Sequence, residues 1–254
     1  MKNIRFQYWK NFYRKKKLST AINFPSQFSM FTLSNDIKKN LLIEFGCGNG
    51  RDAHYMSKYY KKVIGFDSSG FVIKKNISSF KGIKNLKFVN RDIIKKSDLN
   101  FLKKYKKTIY ARFFIHTLKN DEINIFIKTL SFLLKKNEKI FLEYRTHLDK
   151  KTKKTFKKHY RNYLDPKSII NLFKKEKFEN VYSNSSYGYA LFGNEDPHIA
   201  RQIFVKKWFK IFWIRDSLIV YFFNFISNFL IKYETIKIKI KYSKIKNVYI
   251  SKGL

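Results

Sequence analysis

The chain of 254 residues has little glycine, proline or cysteine: nine, three and one residues. A single cysteine, Cys47, excludes an intrachain disulfide bond and a zinc site built from several cysteines. We expect no metal site. The first 17 residues mix basic and aromatic side chains and lack the apolar core of about 7–15 residues that a secretory signal needs. We therefore predict a cytoplasmic protein. Peripheral contact with the inner face of the membrane is a further possibility.

Acidic residues are also scarce, since 18 Asp and Glu stand against 55 Lys and Arg, a formal net charge of +37. Such a charge attracts polyanions without specific contacts. Lysine is spread along the whole chain, together with other residues that have AT-rich codons. We interpret the charge mainly as a solvated lysine surface. A small anionic molecule is the preferred partner, and nucleic acid is the alternative.

Short apolar runs alternate with helical patterns through most of the sequence. The runs are 41–45, 63–66, 86–89, 109–114, 140–144, 181–183 and 202–205, and the helical patterns include 52–60, 71–80, 99–105, 121–135 and 165–173. Strands that alternate with helices form a parallel sheet covered on both faces. We predict an α/β fold with a Rossmann-like, doubly wound, seven-stranded sheet, mostly parallel and ending in an antiparallel hairpin.

Three regions follow from these patterns. Residues 1–39 are predicted to form an N-terminal helical lid, 40–206 the α/β domain, and 207–254 a hydrophobic and basic extension. In the extension, the uncharged run 217–231 is shorter than the roughly 18–20 apolar residues of a transmembrane helix. A helix packed on the domain or on a second copy in a homodimer is preferred. A helix at a membrane surface is the first alternative, and a true transmembrane span is the second. The run 236–241 alternates with period 2, which is typical of an edge strand.

Glycines cluster in a turn after the first apolar run, at Gly46, Gly48 and Gly50, with Asn49 between the last two. Glycine lets the backbone approach a ligand closely, and the carboxyl ends of parallel strands are where nucleotide-like ligands bind. A dinucleotide fingerprint would place the third glycine one residue later. The acid before the turn, Glu44, would repel a pyrophosphate but would suit a sulfonium or an ammonium group.

Acids follow the next two strands as well. Asp67 and Ser68 end the second run, at the offset of about 20 residues where an acid accepts hydrogen bonds from ribose hydroxyls. After the third run, Asp92 could accept from an adenine amino group while Ile93 covers the face of the ring. The three strand ends together predict a site for a cationic adenosine derivative.

Segments 43–50, 65–69 and 90–93 resemble, in this order, the first motif, the second-strand acid and the adenine motif of class I S-adenosylmethionine-dependent methyltransferases. The resemblance covers about residues 40–205. It implies S-adenosylmethionine as the cofactor, bound by the residues named above. The family places residues that face the substrate or contact the methionine part of the cofactor where the chain leaves the fourth strand, which implies a cofactor contact for Arg112. A structural ion pair is the alternative for this arginine.

Residues for the methyl acceptor are expected at the ends of the fourth and fifth strands. His116 could serve as a general base near neutral pH, or could simply pack. Arg145 ends the fifth strand and could serve the cleft or an ion pair. His159 and Arg161 follow a linker rich in lysine, and either face the site or belong to a solvated segment. We select His116, Arg145 and His159 as the candidate catalytic residues.

Arginine forks bind carboxylate or phosphate groups, so this set would suit an anionic acceptor. Segments 112–116, 143–145, 159–161 and 194–197, the last with Arg201, resemble methyltransferases encoded among bacterial capsule and surface-polysaccharide genes, some linked to O-methyl phosphoramidate decoration. The resemblance implies O-methylation of a small anionic metabolite or surface-glycan precursor. RNA or another macromolecule is the alternative acceptor, although the chain has Arg112-Phe113-Phe114 where RNA base methyltransferases carry a proline-rich motif. A non-catalytic scaffold that binds the cofactor and docks to a membrane through 217–231 is the third hypothesis.

Overall fold

The computed structural model describes residues 8–9, 11, 24–92, 99–152, 154 and 160–207. These residues belong to one compact unit, Met1–Trp208. Four predictions lie outside the described residues: the roles of Ile93 and His159, the helix over 217–231 and the strand over 236–241. In the described part of the chain, no helix is long and apolar enough to cross a membrane.

The secondary structure alternates as the apolar runs predict. The strands are β1 (Leu41–Phe45), β2 (Lys62–Asp67), β3 (Leu86–Asn90), β4 (Lys107–Arg112), β5 (Lys139–Arg145), β6 (Phe178–Ser186) and β7 (Ile199–Lys206). The helices are α1 (Gln27–Asn35), α2 (Arg51–Met56), α3 (Gly70–Ser79), α4 (Asn120–Leu133) and α5 (Pro166–Lys175). Short 3-10 turns occupy Asn100–Leu102, Ile115–Thr117 and His147–Lys151.

The seven strands form a single sheet in the order β3-β2-β1-β4-β5-β7-β6. Pairing is parallel from β3 through β5, and the β6–β7 hairpin joins β5 in the antiparallel sense. The predicted fold class is therefore confirmed. The carboxyl ends of β1 to β5 lie at one edge of the sheet, and β7 starts at that edge because it runs antiparallel to β5.

The central strands are buried on both faces. All five residues of β1 are buried, so its sequence is a continuous apolar run interrupted only by Glu44. One face packs Phe45 against Phe126 of α4, and the other packs Tyr110 against Phe28 of α1. Helices on both faces leave the edge at the carboxyl ends as the place where polar side chains gather.

Three predicted elements differ from the structure. The helix expected over 99–105 is only the 3-10 turn Asn100–Leu102. The helix predicted over 121–135 is α4, Asn120–Leu133; it begins one residue earlier because the Glu122 carboxylate accepts the N–H of Lys119 at 2.9 Å and so caps the helix before Asn120. The fourth strand ends at Arg112 and excludes Phe113 and Phe114.

The early end of β4 has a local cause at Phe113. Its φ of 50° lies in the left-handed region, which a strand does not adopt. Its N–H donates to the carbonyl oxygen of Glu143 at 2.8 Å, which keeps the turn attached to β5. The chain then bends into Ile115–Thr117 and carries His116 back over the edge of the sheet.

Candidate active site

The glycine turn joins β1 to α2, and two of its positions accept no residue other than glycine. Gly46 and Gly50 adopt φ values of 73° and 72°. A Cβ at Gly46 would lie 2.7 Å from Phe114 Cδ2, and one at Gly50 would lie 2.7 Å from Phe88 Cζ. Any side chain would therefore strain the backbone and collide with an aromatic ring.

The turn is tied to the end of β2 by the Asp67 carboxylate. Asp67 Oδ2 accepts the N–H of Gly48 at 3.0 Å, and Oδ1 accepts the N–H of Ser69 at 2.9 Å. From α3, Asn76 Nδ2 donates to the carbonyl oxygen of Gly48 at 2.8 Å. Burial raises the pKa of Asp67 even though these hydrogen bonds oppose the shift. Asp67 thus shapes the glycine turn, while its contact with a ribose stays a prediction. Asn76 is a residue that the sequence analysis missed.

Glu44 is the buried acid directly before the turn, with 3% of its surface exposed. Its Oε2 is buried without a hydrogen-bond partner. Burial, followed by the nearby charge of Asp52, raises the pKa of Glu44 well above its ordinary value. An unsatisfied buried oxygen costs about 1–3 kcal/mol. Such an oxygen at a strand end fits a site that receives a positively charged group.

The remaining predicted cofactor residues lie at the same edge. Asn49 and Ser68 are partly buried beside the glycine turn, and Asp92 follows β3. Arg91 N–H donates to the Asp67 carbonyl oxygen at 3.0 Å, so the Asp92 segment is attached to the end of β2. The acids predicted to bind S-adenosylmethionine are therefore gathered by three neighbouring strands.

A hydrogen-bond network that the sequence analysis missed joins this site to the N-terminal helix. Asp52 of α2 accepts the Ser26 N–H at 2.8 Å, the Ser26 hydroxyl at 2.7 Å and the Tyr110 hydroxyl at 2.7 Å. Ser26 in turn caps α1 by accepting the N–H of Ser29. The helix before the cofactor turn and the helix after it are thus held through one buried carboxylate.

We call the region along the carboxyl ends of the strands the cleft, with a cofactor end at β1 to β3 and an acceptor end at β4, β5 and β7. At the acceptor end, Arg112, Glu143 and Arg201 are direct partners in register across β4, β5 and β7. Glu143 is fully buried; its Oε1 accepts from Arg112 Nε and its Oε2 from Arg201 Nε, both at 2.8 Å. Burial lowers the pKa of Arg112, but the charges of Glu143, Asp52 and Tyr110 and the hydrogen bond to Glu143 together outweigh it, and the net shift is upward. Arg112, predicted to contact the cofactor, is therefore fixed in position and charged.

Phe113 brings three predicted residues together. The Arg112 guanidinium lies 4.4 Å from the centre of its ring and the Arg145 guanidinium 5.6 Å. The ring of His116, a residue with 3% exposure, meets Phe113 edge-on at 5.5 Å. The left-handed backbone at Phe113 directs the ring into this position, which no periodicity in the sequence could indicate.

Arg145 forms two ion pairs at the end of β5. Its NH1 lies 2.8 Å from Asp149 Oδ2, and its NH2 lies 2.5 Å from Glu195 Oε1. Next to it, Thr146 Oγ1 lies 2.7 Å from His198 Nδ1, and burial lowers the pKa of that histidine. These contacts give Arg145 an architectural part at the edge, while its catalytic part stays a prediction. His198 is a titratable group at the edge that the sequence analysis did not single out.

A short segment, Tyr160 to Leu164, crosses the ends of β4 and β5. The N–H of Asn162 donates to the carbonyl oxygen of His116 at 2.7 Å, and the N–H of His147 donates to that of Leu164 at 3.0 Å. This attachment carries the partly buried Arg161 to the same edge as Arg112 and Arg145. Within the described residues, no group of three or more His, Cys, Asp or Glu is placed to hold a metal ion.

Comparisons with known proteins agree with this geometry. A family model described as a methyltransferase domain matches residues 13–183. No curated protein matches the sequence. Many solved structures share the fold, and three of them are described below.

A protein solved in connection with the conversion of a disulfide bond into a thioacetal group during echinomycin biosynthesis has a TM-score of 0.65 at 12% identity, covering 85% of this chain and 97% of its own. A TehB-like S-adenosylmethionine-dependent methyltransferase from Corynebacterium glutamicum has a TM-score of 0.59 at 15% identity, covering 79% of this chain and 99% of its own. The N-methyltransferase NodS from Bradyrhizobium japonicum, solved with S-adenosylhomocysteine, has a TM-score of 0.58 at 13% identity, covering 81% and 100%.

The described residues also fit the predicted cofactor, since the uncompensated Glu44 oxygen and the acids at the ends of β2 and β3 suit a cationic adenosine derivative. The prediction of an S-adenosylmethionine-dependent enzyme is confirmed by family and fold. The chain belongs to the methyltransferase-domain family, with the class I fold.

Proposed function

We propose that this enzyme transfers the methyl group of S-adenosylmethionine to an oxygen of a small anionic acceptor, such as a metabolite or a surface-glycan precursor. The main observation that supports this proposal is the excess of cations at the acceptor end of the cleft. The ion-paired set there contains four cations, Arg112, Arg145, Lys154 and Arg201, and three carboxylates, Glu143, Asp149 and Glu195. The partly buried Arg161 adds a further cation in the segment that crosses the ends of β4 and β5.

The opposite signs of the two ends of the cleft support this assignment. Acids gather at the ends of β1, β2 and β3, where the cationic cofactor is expected. Arginines gather at the carboxyl ends of β4 and β5 and near the start of β7. Guanidinium groups favour carboxylate and phosphate oxygens because the fork geometry matches two acceptor atoms. An acceptor of this charge is drawn to the arginine end and kept from the acidic end.

The cofactor supplies an already activated methyl group, so the protein's contribution is to bind, orient and exclude water. Phe113 and the packed aromatic residues behind it keep water from the edge of the sheet. A carboxylate or phosphate oxygen attacks without losing a proton. For a hydroxyl acceptor, His116 remains the proposed base, because it lies buried against Phe113.

The test is incubation of the full chain with isotopically labelled S-adenosylmethionine and a panel of acceptors: carboxylates, phosphate monoesters, nucleotide-linked sugars and matched neutral sugars. We expect labelled product from anionic acceptors only. Labelling of the neutral compounds at an equal rate would contradict the proposal. Asp67→Ala serves as the control, because it should lose both cofactor binding and product.

RNA is a second candidate acceptor because of the net charge of +37. The same assay with total cellular RNA separates the two hypotheses. Label in RNA that survives phenol extraction and disappears with nuclease would favour it. The proposed membrane role of 217–231 is tested by liposome flotation of the full chain beside a chain ending at Lys207.

A further inference from the structure

We propose that the two terminal nitrogens of Arg112, Nη1 and Nη2, form the oxyanion-binding fork of the cleft, and that Glu143 holds this fork in position. The ligand chemistry is a carboxylate or phosphate-type oxyanion that accepts two parallel N–H bonds. Such a group can come from the carboxylate of the cofactor or from the anionic part of the acceptor. The second source rests on the proposed function and deepens it, and the first does not depend on it.

Arg112 differs from the other arginines of the ion-paired set in what its donors contact. Both terminal nitrogens of Arg145 contact carboxylates, at 2.8 and 2.5 Å. Arg201 uses one terminal nitrogen for a backbone carbonyl oxygen at 3.1 Å. Arg112 uses only Nε, for Glu143 at 2.8 Å, and its Nη1 and Nη2 have no hydrogen-bond acceptor among the residues that the structure describes. Of the five N–H donors of this guanidinium, the four on the terminal nitrogens are therefore available to a ligand.

Glu143 and Phe113 fix the direction of this fork. Glu143 is fully buried, and each of its two oxygens lies 2.8 Å from the Nε of one arginine, Arg112 or Arg201. The Phe113 ring packs against the Arg112 guanidinium, with 4.4 Å between Cζ and the ring centre. A guanidinium that is held in this way loses little side-chain entropy when a ligand binds. Glu143 is thus a positioning residue that acts through Arg112.

The fork lies where β4 ends beside the glycine turn. β4 pairs with β1, and Tyr110 is the register partner of Glu44. Alternate side chains of a strand share a face, so Arg112 lies two residues beyond Tyr110 on the face that carries Glu44. In the turn after β4, Phe114 lies so close to Gly46 that a Cβ there would be 2.7 Å from its ring. The Arg112 side chain is 17% exposed, so a ligand at this edge of the sheet has access to it.

Glu44 and Arg112 match the two opposite charges of one ligand. Glu44 Oε2 is buried without a hydrogen-bond partner among the described residues, and it suits an ammonium group. The Arg112 fork suits a carboxylate. The amino-acid part of S-adenosylmethionine carries both groups, so the carboxylate of the cofactor is the first source to test.

The cofactor source is tested by calorimetry on the full chain with S-adenosylhomocysteine and with S-adenosyl-3-thiopropylamine, which is the same molecule without its carboxylate. The wild type should bind S-adenosylhomocysteine about tenfold or more tightly, because hydrogen bonds between charged groups are the stronger ones. Arg112→Gln should lose this preference. Arg112→Lys keeps the charge but not the fork and should retain part of it. Lys87→Gln is the matched control, because Lys87 is an exposed residue of β3 at the far edge of the sheet, and it should leave the preference unchanged.

The acceptor source is tested by titrating inorganic phosphate into the full chain saturated with S-adenosylhomocysteine. If the fork receives the acceptor, Arg112→Gln keeps the preference for S-adenosylhomocysteine and binds phosphate about tenfold or more weakly than the wild type. Lys87→Gln should bind phosphate as the wild type does. Equal losses in the two variants would overturn this source, because they would indicate general attraction to a lysine-rich surface.

Glu143→Gln tests the positioning role. The amide keeps the size of the side chain but not its charge, so Arg112 is released, and the variant should show the same loss as Arg112→Gln. The double variant should lose no more than either single variant, because Glu143 acts through Arg112. Losses that add in the double variant would exclude the positioning role. Binding of S-adenosyl-3-thiopropylamine reports the folding of each variant.

The fork is wrong if the wild type and Arg112→Gln agree in all three affinities, those for S-adenosylhomocysteine, its analogue and phosphate. The proposed function would then stand on the remaining cations of the acceptor end. Loss of the preference in Arg112→Gln, without methylation of any anionic acceptor by the wild type, would contradict the proposed function and leave the fork in place. If Arg112→Gln does not fold, Arg112→Lys provides the same comparison, since lysine still pairs with Glu143 but presents a single ammonium group.

Discussion

The two ends of the cleft are built by different means. At the cofactor end, backbone groups dominate: Gly46 and Gly48 are held by hydrogen bonds to β2 and to Asp67. At the acceptor end, side-chain ion pairs dominate, with Glu143 joining Arg112 to Arg201 across three strands. The first arrangement joins residues 19 to 20 positions apart, and the second joins residues up to 89 positions apart.

This difference predicts how each end responds to change. A turn built from backbone groups loses its affinity for the cofactor when a single Cβ does not fit. The free energy of unfolding changes less than the free energy of cofactor binding. A network of buried ion pairs fails when one partner leaves a charge uncompensated. Variants at the acceptor end should therefore alter stability and acceptor recognition, and variants at the cofactor end should alter cofactor affinity.

The largest effect on stability is expected from Glu143→Ala. Removing this fully buried carboxylate leaves Arg112 and Arg201 without their shared partner, and loss of one member of a buried pair costs about 3–5 kcal/mol. Urea denaturation of the variant and the wild type measures the difference in free energy of unfolding.

Glu179→Ala is the matched control, because its ion pair with Lys207 is half-exposed and should contribute less than about 1 kcal/mol. Similar losses for the two variants would contradict the structural role of Glu143. A loss of cofactor affinity much larger than the loss of stability would instead place Arg112 at the cofactor end, as the sequence analysis predicts.

Gly46→Ala should act mainly on the cofactor. The φ of 73° and the 2.7 Å approach to Phe114 force the turn to shift, so we expect S-adenosylhomocysteine to bind about 100-fold more weakly and stability to fall by about 1–2 kcal/mol. Calorimetric titration measures the affinity. Gly82→Ala separates the effect of backbone strain from that of the steric collision, because Gly82 also has a positive φ but has no atom within 4 Å of its Cβ position. An unchanged affinity in Gly46→Ala would show that the turn does not contact the cofactor.

The smallest effect, with opposite signs on stability and binding, is expected from Glu44→Gln. The pKa of Glu44 is raised on folding, so its favourable contribution is complete below the unfolded pKa and is lost as pH rises through the folded pKa. The variant should gain about 1 kcal/mol over the wild type, increasingly toward alkaline pH, while binding S-adenosylmethionine about tenfold more weakly.

Urea denaturation across a pH series measures the stability of the Glu44→Gln variant. Calorimetry in two buffers with different ionisation enthalpies measures the protons released on binding. The wild type should release protons, because a cationic ligand favours the ionised carboxylate, and the variant should release fewer. Equal proton release in both proteins would exclude Glu44 as the residue that faces the positive charge.

The fold and the acids of the cofactor end could be predicted from the sequence because their signals are local. Buried parallel strands appear as continuous apolar runs, and a glycine turn with acids at successive strand ends needs no knowledge of distant contacts. The predicted sheet is confirmed, including the hairpin of β6 and β7. The roles of the individual site residues stay predictions.

The acceptor end could be predicted only in outline. Arg112, Arg145 and Arg161 stand out as charges near strand ends, but their partners depend on register between β5 and β7, which a single sequence does not give. His198 became a site residue only through that register, and so did the pairing of Arg201 with Glu143. The bond from Ser26 to Asp52 likewise joins segments 26 residues apart through tertiary packing.

The scarcity of acids in this chain has a consequence for how such sequences are interpreted. The chain has 18 acidic residues, and seven of those in the part that the structure describes are buried: Asp36, Glu44, Asp52, Glu138, Glu143, Asp149 and Glu195. Acidic side chains are rarely buried in ordinary proteins. A compositional drift that replaces surface carboxylates with lysine leaves in place those that a fold or a site requires. In a strongly biased proteome, the residue types that the bias disfavours therefore mark constrained positions, even when no related sequence is at hand.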